Sequence, residues 1–121
     1  MTPEELWPRY SAIWSSSPDV RHAELQFCLA DDATYCDSNG ALEGHDALSA
    51  YMGGFQESVP GGLFEIGDVR AHNGRSLAHW VLKDAQGVIL QYGASFAEHD
   101  EAGRLKTITG FFPLPQPDAA A

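Results

Sequence analysis

Leu6, Tyr10, Ile13 and Trp14 recur at helical spacing and give the first segment of the chain one apolar face. Thr2 and Glu5 stand at capping-box spacing with Pro3 at the first helical position, so the helix should begin there. Pro8 lies inside the pattern and should kink this helix or move its start. Ser17-Pro18-Asp19 caps a second helix to about Leu29, with Val20, Ala23, Phe27 and Cys28 inward. A short strand from Ala33 to Asp37 then ends at the turn Ser38-Asn39-Gly40. A third helix follows Gly44 and carries Ala47, Leu48, Tyr51, Met52 and Phe55 on one stripe; Gly53-Gly54 should weaken its last turns.

After Pro60-Gly61-Gly62 the period changes from helical to alternating. Leu63 to His72 is a strand, Asn73-Gly74 is a hairpin signal, and Arg75 to Lys83 returns. Asp84-Ala85-Gln86-Gly87 turns into a strand from Val88 to Glu98, and His99 to Gly103 turns again before Arg104 to Phe112. Helices first and an antiparallel meander second is an α+β layout. A curved sheet wrapped over helices leaves an apolar cavity, where a small ligand would go.

Composition narrows the function classes. The 121 residues are enough for one domain and too few for two. Seven Lys and Arg against seventeen Asp and Glu give a net charge of -10. The scattered cations offer no basic stripe, which argues against nucleic acid and against an anionic membrane surface as partner. No apolar run is long enough to span a bilayer. The start Met1-Thr2-Pro3-Glu4-Glu5 lacks the features of a secretory signal, and Cys28 and Cys36 form neither a metal spacing nor a disulfide framework. A cytoplasmic protein is the expectation. The alternating prolines after Phe112 predict an extended or disordered tail over 114–121, leaving 1–113 as the single domain.

Ala30-Asp31-Asp32-Ala33-Thr34-Tyr35-Cys36-Asp37, then Gly44, Pro60-Gly61, and Gly103-Arg104-Leu105 leading to Thr109-Gly110-Phe111-Phe112 resemble the SnoaL-like and ketosteroid-isomerase-like group of the nuclear-transport-factor-2-like superfamily. The resemblance covers roughly residues 5 to 113. It implies a cone: three helices packed on a strongly curved, mixed and mainly antiparallel sheet, with a buried ligand at the open end. Members include isomerases, polyketide cyclases, hydrolases, dehydratases, lyases and non-catalytic binding modules, so the fold does not settle the function.

Three residues are candidates for chemistry. Asp37 holds the position that carries the base aspartate in ketosteroid isomerases, by the resemblance. A carboxylate in an apolar cavity becomes a better proton acceptor, and neither Arg70 nor Arg104 is placed to pair it. The alternative is a turn aspartate capping Ser38-Asn39-Gly40. Tyr10 resembles the oxyanion tyrosine and would donate to an oxygen gaining charge; otherwise it is a core aromatic. Ser95 matches the second oxyanion acid and is a weaker donor, so the isomerase oxyanion hole is incomplete. His79 shares a strand face with Leu77 and Val81, opposite Ala78, Trp80 and Leu82. The resemblance puts the His79 face on the pocket side, where an imidazole could act as donor, acceptor or general acid. The alternative is a satisfied core histidine.

Trp14, Tyr35, Phe55, Tyr92, Ile108 and Phe112 complete the expected cavity wall, which suits a flat apolar or aromatic compound carrying a carbonyl or hydroxyl. His22, His45, His72 and His99 show no ligand spacing with His79, so no metal is expected. The leading expectation is a cofactor-independent enzyme of proton transfer, covering isomerisation, cyclisation, dehydration or lyase chemistry. The alternative is a ligand-binding or protein-interaction module of the same fold. A homodimer is expected through an uncovered apolar sheet face carrying Trp80, Leu82 and Ile89.

Overall fold

A computed structural model describes residues 1–116. Helix α1 (Pro3–Ile13) starts at the predicted cap: the Thr2 side chain accepts from the Glu5 N–H while the Glu5 carboxylate reaches back to the Thr2 N–H. Pro8 neither moves this start nor ends the helix. It faces solvent, where water can meet the carbonyl it leaves unpaired. Helix α2 (Pro18–Cys28) follows, then strand β1 (Leu29–Asp37), strand β2 (Gly40–Glu43) and helix α3 (His45–Ser58). Strands β3 (Leu63–His72), β4 (Arg75–Lys83), β5 (Ile89–His99) and β6 (Leu105–Leu114) complete the order. Among the described residues, no helix is long and apolar enough to cross a membrane.

The six strands form one mixed sheet in the order β2-β1-β6-β5-β4-β3. Among the described strands only β1 and β6 run parallel, with β2, α3 and β3 to β5 lying between them in the chain. Register shifts interrupt the β1–β6, β3–β4, β4–β5 and β5–β6 ladders, and such bulges bend a sheet. The three helices cover one face. This is the cone, α+β with helices packed on a mixed sheet.

Several expectations need correction. In α2 the inward residues are Arg21, Leu25 and Cys28, while Val20, Ala23 and Phe27 are exposed. Arg21 turns the helix this way: its buried guanidinium donates to Ser49 Oγ at 3.0 Å and to the Ser16 carbonyl at 2.9 Å. Phe27 is roofed instead by the Arg9 guanidinium, 3.8 Å above its ring. Strand β1 starts at Leu29 rather than Ala33, directly from α2. Two consecutive exposed residues, Asp31 and Asp32, and the register shift between Leu29 and Thr34 mask its alternation. The exposed edge strand β2 was not foreseen because four residues carry too little pattern. Helix α3 runs through Gly53-Gly54 to Ser58, with Ala47 exposed. A β-carbon at Gly53 would lie 3.4 Å from Arg21 Nη2, so the small residue lets α2 and α3 approach. Strand β6 continues through Pro113 to Leu114, which pairs with Tyr92. Of the tail expected over 114–121, residues 117–121 lie outside the described residues.

Candidate active site

Alternation on β4 and β5 decides which side chains meet the helices. Across the β4–β5 ladder, Ala78 faces Ser95, Trp80 faces Gly93 and Leu82 faces Gln91; this set points inward. Gly93 is small for a reason, because a β-carbon there would overlap the Trp80 indole. On β6 the inward set is Ile108, Gly110 and Phe112, and on β1 it is Ala33, Tyr35 and Asp37.

Between this face and the helices lies a cavity of about 680 Å³. Buried Trp7, Tyr10, Trp14, Tyr35, Trp80 and Ser95 form its depth. Exposed Asn39, Ala50, Gly54, Ser58 and Leu90 border its mouth. Trp14 is the hub of the aromatic wall, with ring centroids 5.6 Å from Tyr35 and from Phe64, 5.7 Å from Phe55 and 5.8 Å from Tyr51. Trp80 continues the wall to Phe64 at 5.1 Å and to Phe112 at 5.8 Å. Among the described residues, no Lys, Arg, His, Asp or Glu lines this space, which therefore favours an uncharged, ring-bearing ligand.

The polar groups are few and directional. Asp37, 9% exposed, sits behind the cavity wall. Its Oδ2 accepts from the Tyr35 hydroxyl at 2.7 Å and from the Tyr51 hydroxyl at 2.8 Å. Its Oδ1 accepts from the Asn39 backbone N–H at 2.7 Å, the turn-capping contact. The Asn39 side chain in turn donates to Tyr51 Oη at 3.2 Å. Among the described residues no cation pairs with Asp37; Arg70 is bound to Asp68, and Arg104 to Asp100 and Asp31. Burial pushes the Tyr35 hydroxyl far above its ordinary range, and it does the same more weakly to Tyr51. Both therefore remain protonated donors toward the carboxylate.

Tyr10 lines the same cavity, 4% exposed, and its hydroxyl is buried with no hydrogen-bond partner among the described residues. Burial also raises its pKa well above the ordinary value. A desolvated, unused O–H is a donor waiting for an acceptor.

The structure thus brings Tyr10, Trp14, Tyr35, Phe55, Ser95 and Phe112 onto one cavity, with Asp37 one hydrogen bond behind it. It separates the others. His79 is exposed on the opposite face of β4, so the expected pocket face of that strand was inverted. Tyr92 shares that outer face, opposite Val81, and Ile108 is buried in the core away from the cavity lining. Trp80 and Leu82, expected on an uncovered face, line the cavity instead. The exposed apolar face is built from Leu77, Val81, Tyr92, Phe96 and Phe111. Sequence reasoning missed the site role of Tyr51, which it placed only on an apolar stripe, and missed Trp7 altogether. The available signal was Gly93 and Gly110 at inward positions of neighbouring strands, small residues that mark the crowded concave side.

Comparison with known proteins agrees with this fold. The family described as SnoaL-like domain matches residues 9–108. No curated protein sequence matches the chain. Among solved structures, a candidate isomerase of the SnoaL-like family from Agrobacterium tumefaciens C58 superposes with a TM-score of 0.82 at 21% identity, over 88% of this chain and 93% of its own. A hypothetical protein with a ketosteroid-isomerase-like fold from Catenulispora acidiphila, solved in complex with trimethylamine, gives 0.75 at 16% identity over 94% and 88%. A candidate polyketide cyclase from Sinorhizobium meliloti gives 0.69 at 12% identity over 88% and 93%.

Proposed function

The chain belongs to the SnoaL-like family, and from that premise we propose that it is a cofactor-independent cytoplasmic enzyme of proton transfer. Its substrate is a small, flat, largely apolar or aromatic compound bearing a carbonyl or hydroxyl group. The observation that carries the proposal is the pairing, in one aromatic cavity, of an unspent donor at Tyr10 with a carboxylate reached through Tyr35. The substrate carbonyl oxygen would accept from Tyr10. The proton beside it would pass to Tyr35 Oη while the Tyr35 proton passes to Asp37 Oδ2, leaving an enolate held by Tyr10 and a neutral Asp37. The two transfers must be concerted, because burial opposes a free tyrosinate at Tyr35. Return of the proton to a different atom is isomerisation, and attack of the enolate on a second carbonyl is cyclisation.

One observation favours a second function, a non-catalytic ligand-binding module. Asp37 already accepts from three donors and is absent from the cavity lining, a common arrangement for a structural carboxylate. Exchange of the α-protons of acetophenone in deuterated water, followed by NMR, separates the two without knowledge of the natural substrate. Catalysed exchange that Asp37→Asn abolishes supports the enzyme. Binding of acetophenone without exchange supports the module.

A further inference from the structure

Gly110 lies on the inward face of β6, opposite Ser95 of β5. A β-carbon there would stand 3.6 Å from Ser95 Oγ, 3.7 Å from Tyr35 Oη and 3.7 Å from Asp37 Cβ, at ordinary contact distance. The missing side chain therefore leaves a hollow the size of about one heavy atom, walled by two hydroxyls. Both walls are more than nine-tenths buried: Tyr35 is 7% exposed and Ser95 8%.

The hydrogen bonds give these walls opposite characters. Tyr35 spends its proton on Asp37, so toward the hollow it offers only lone pairs. Ser95 Oγ accepts from the Trp80 indole N–H at 3.0 Å, and its own proton has no acceptor among the described residues. One wall accepts and the other donates. A carbonyl could satisfy only Ser95, and an ammonium could satisfy only Tyr35. A hydroxyl satisfies both.

We propose that the hollow over Gly110 is a subsite for a hydroxyl group of the ligand, which donates to Tyr35 Oη and accepts from Ser95 Oγ–H. The ligand class sharpens accordingly to ring compounds that carry a free hydroxyl in addition to the carbonyl placed at Tyr10. The subsite rests on the reading of the cavity as a small-molecule site and, because the ligand hydroxyl takes the Tyr35 lone pair that an α-proton would need, it deepens the binding-module form of that reading. Gly110 is then a specificity-determining residue. Its backbone is not left-handed and its neighbours stand at ordinary distance, so Gly110→Ala fills the hollow without strain.

The test is calorimetric or fluorescence titration with acetophenone, with meta- and para-hydroxyacetophenone, and with the matching methoxy compounds. Acetophenone reports on the cavity, and the hydroxyl increment reports on the subsite. At least one hydroxy isomer should bind about tenfold more tightly than acetophenone, and its methyl ether, which cannot donate, should lose that gain. Gly110→Ala should erase the increment, leave acetophenone binding in place and keep the parent melting temperature. Tyr35→Phe, which removes the acceptor and keeps the ring, should erase it as well. Equal binding of acetophenone and both hydroxy isomers, or an increment that survives Gly110→Ala, overturns the subsite alone. Failure of every ring compound to bind overturns the cavity reading and the subsite with it.

Discussion

The Tyr35 hydroxyl donates to Oδ2 of Asp37 at 2.7 Å, although the two residues sit only two positions apart on the same strand. Alternation places both side chains on the inner face, and the bond ties the end of β1 to its own cavity wall. Tyr51 of α3 donates to the same oxygen. The carboxylate thus joins sheet, turn and helix at one point.

Replacing Asp37 by Asn therefore has a structural cost. An amide offers one acceptor oxygen where three donors converge, so at least one donor faces an N–H or goes unpaired. Unfolding in urea should show a loss of about 1–3 kcal/mol with an unchanged slope. A variant as stable as the parent would mean that the Tyr35 and Tyr51 contacts contribute nothing to the fold.

Gly93→Ala tests the floor of the cavity. The added methyl overlaps the Trp80 indole, which must leave its place against the sheet and its bond to Ser95. Stability should fall by about 1–3 kcal/mol, and the tryptophan emission should shift as Trp80 moves. The alanine at Gly110 should do neither, since its surroundings have room. Equal effects of the two substitutions would contradict this packing.

Much of this architecture was legible in the chain, for identifiable reasons. The Thr2–Glu5 box, the Asn73-Gly74 hairpin and the change of period after Gly62 act locally, so pattern alone locates α1 and the β3–β4 turn. The face of a strand is a different matter. Alternation groups His79 with Leu77 and Val81, and Trp80 with Ala78 and Leu82, but which group meets the helices depends on partners far along the chain. Phe64 and Ile66 across one ladder and Gly93 across the other select the Trp80 side. The Asp37 network was invisible for the same reason: Tyr51 approaches from a helix fourteen residues away.

Alkaline pH should unfold the protein through its buried acids. Burial raises Cys28 from an ordinary 9.0 to about 11, and raises Tyr10, Tyr35 and Tyr51 above 10.0. A group whose pKa is raised by folding contributes stability that is complete below its ordinary value and is lost as pH rises toward the folded value. The unfolded chain ionises first, so stability should begin to fall above pH 9 and fall faster above pH 10. A melting temperature that stays flat from pH 8 to pH 11 would show that these groups are not desolvated as described.

The sheet face away from the helices predicts a homodimer. Phe111 is 57% exposed on β6 opposite Ala94, with Tyr92 and Phe96 to either side of that alanine on β5 and, on β4, Val81 opposite Tyr92 and Leu77 opposite Phe96. A contiguous aromatic and aliphatic surface of this kind is costly to leave in water. Light scattering at micromolar concentration should give twice the chain mass, and Phe111→Glu should give the monomer with its helical signal intact. A monomeric parent protein removes the dimer from the account.

Tyr10→Phe separates stability from function most sharply. The hydroxyl is buried and makes no hydrogen bond among the described residues, so its desolvation goes uncompensated there. Deleting it removes that cost and leaves the ring, whose edge packs on Trp7 with centroids 5.6 Å apart. The melting temperature should hold or rise, corresponding to a gain of up to about 1 kcal/mol. The ligand carbonyl loses the donor proposed for it, so acetophenone affinity should drop about five- to tenfold, and catalysed α-proton exchange should drop further, because the enolate oxygen needs the donor more than the ketone does. A stable variant with full exchange activity would take Tyr10 out of the mechanism; a destabilised one would show that the hydroxyl has a partner in the folded chain after all.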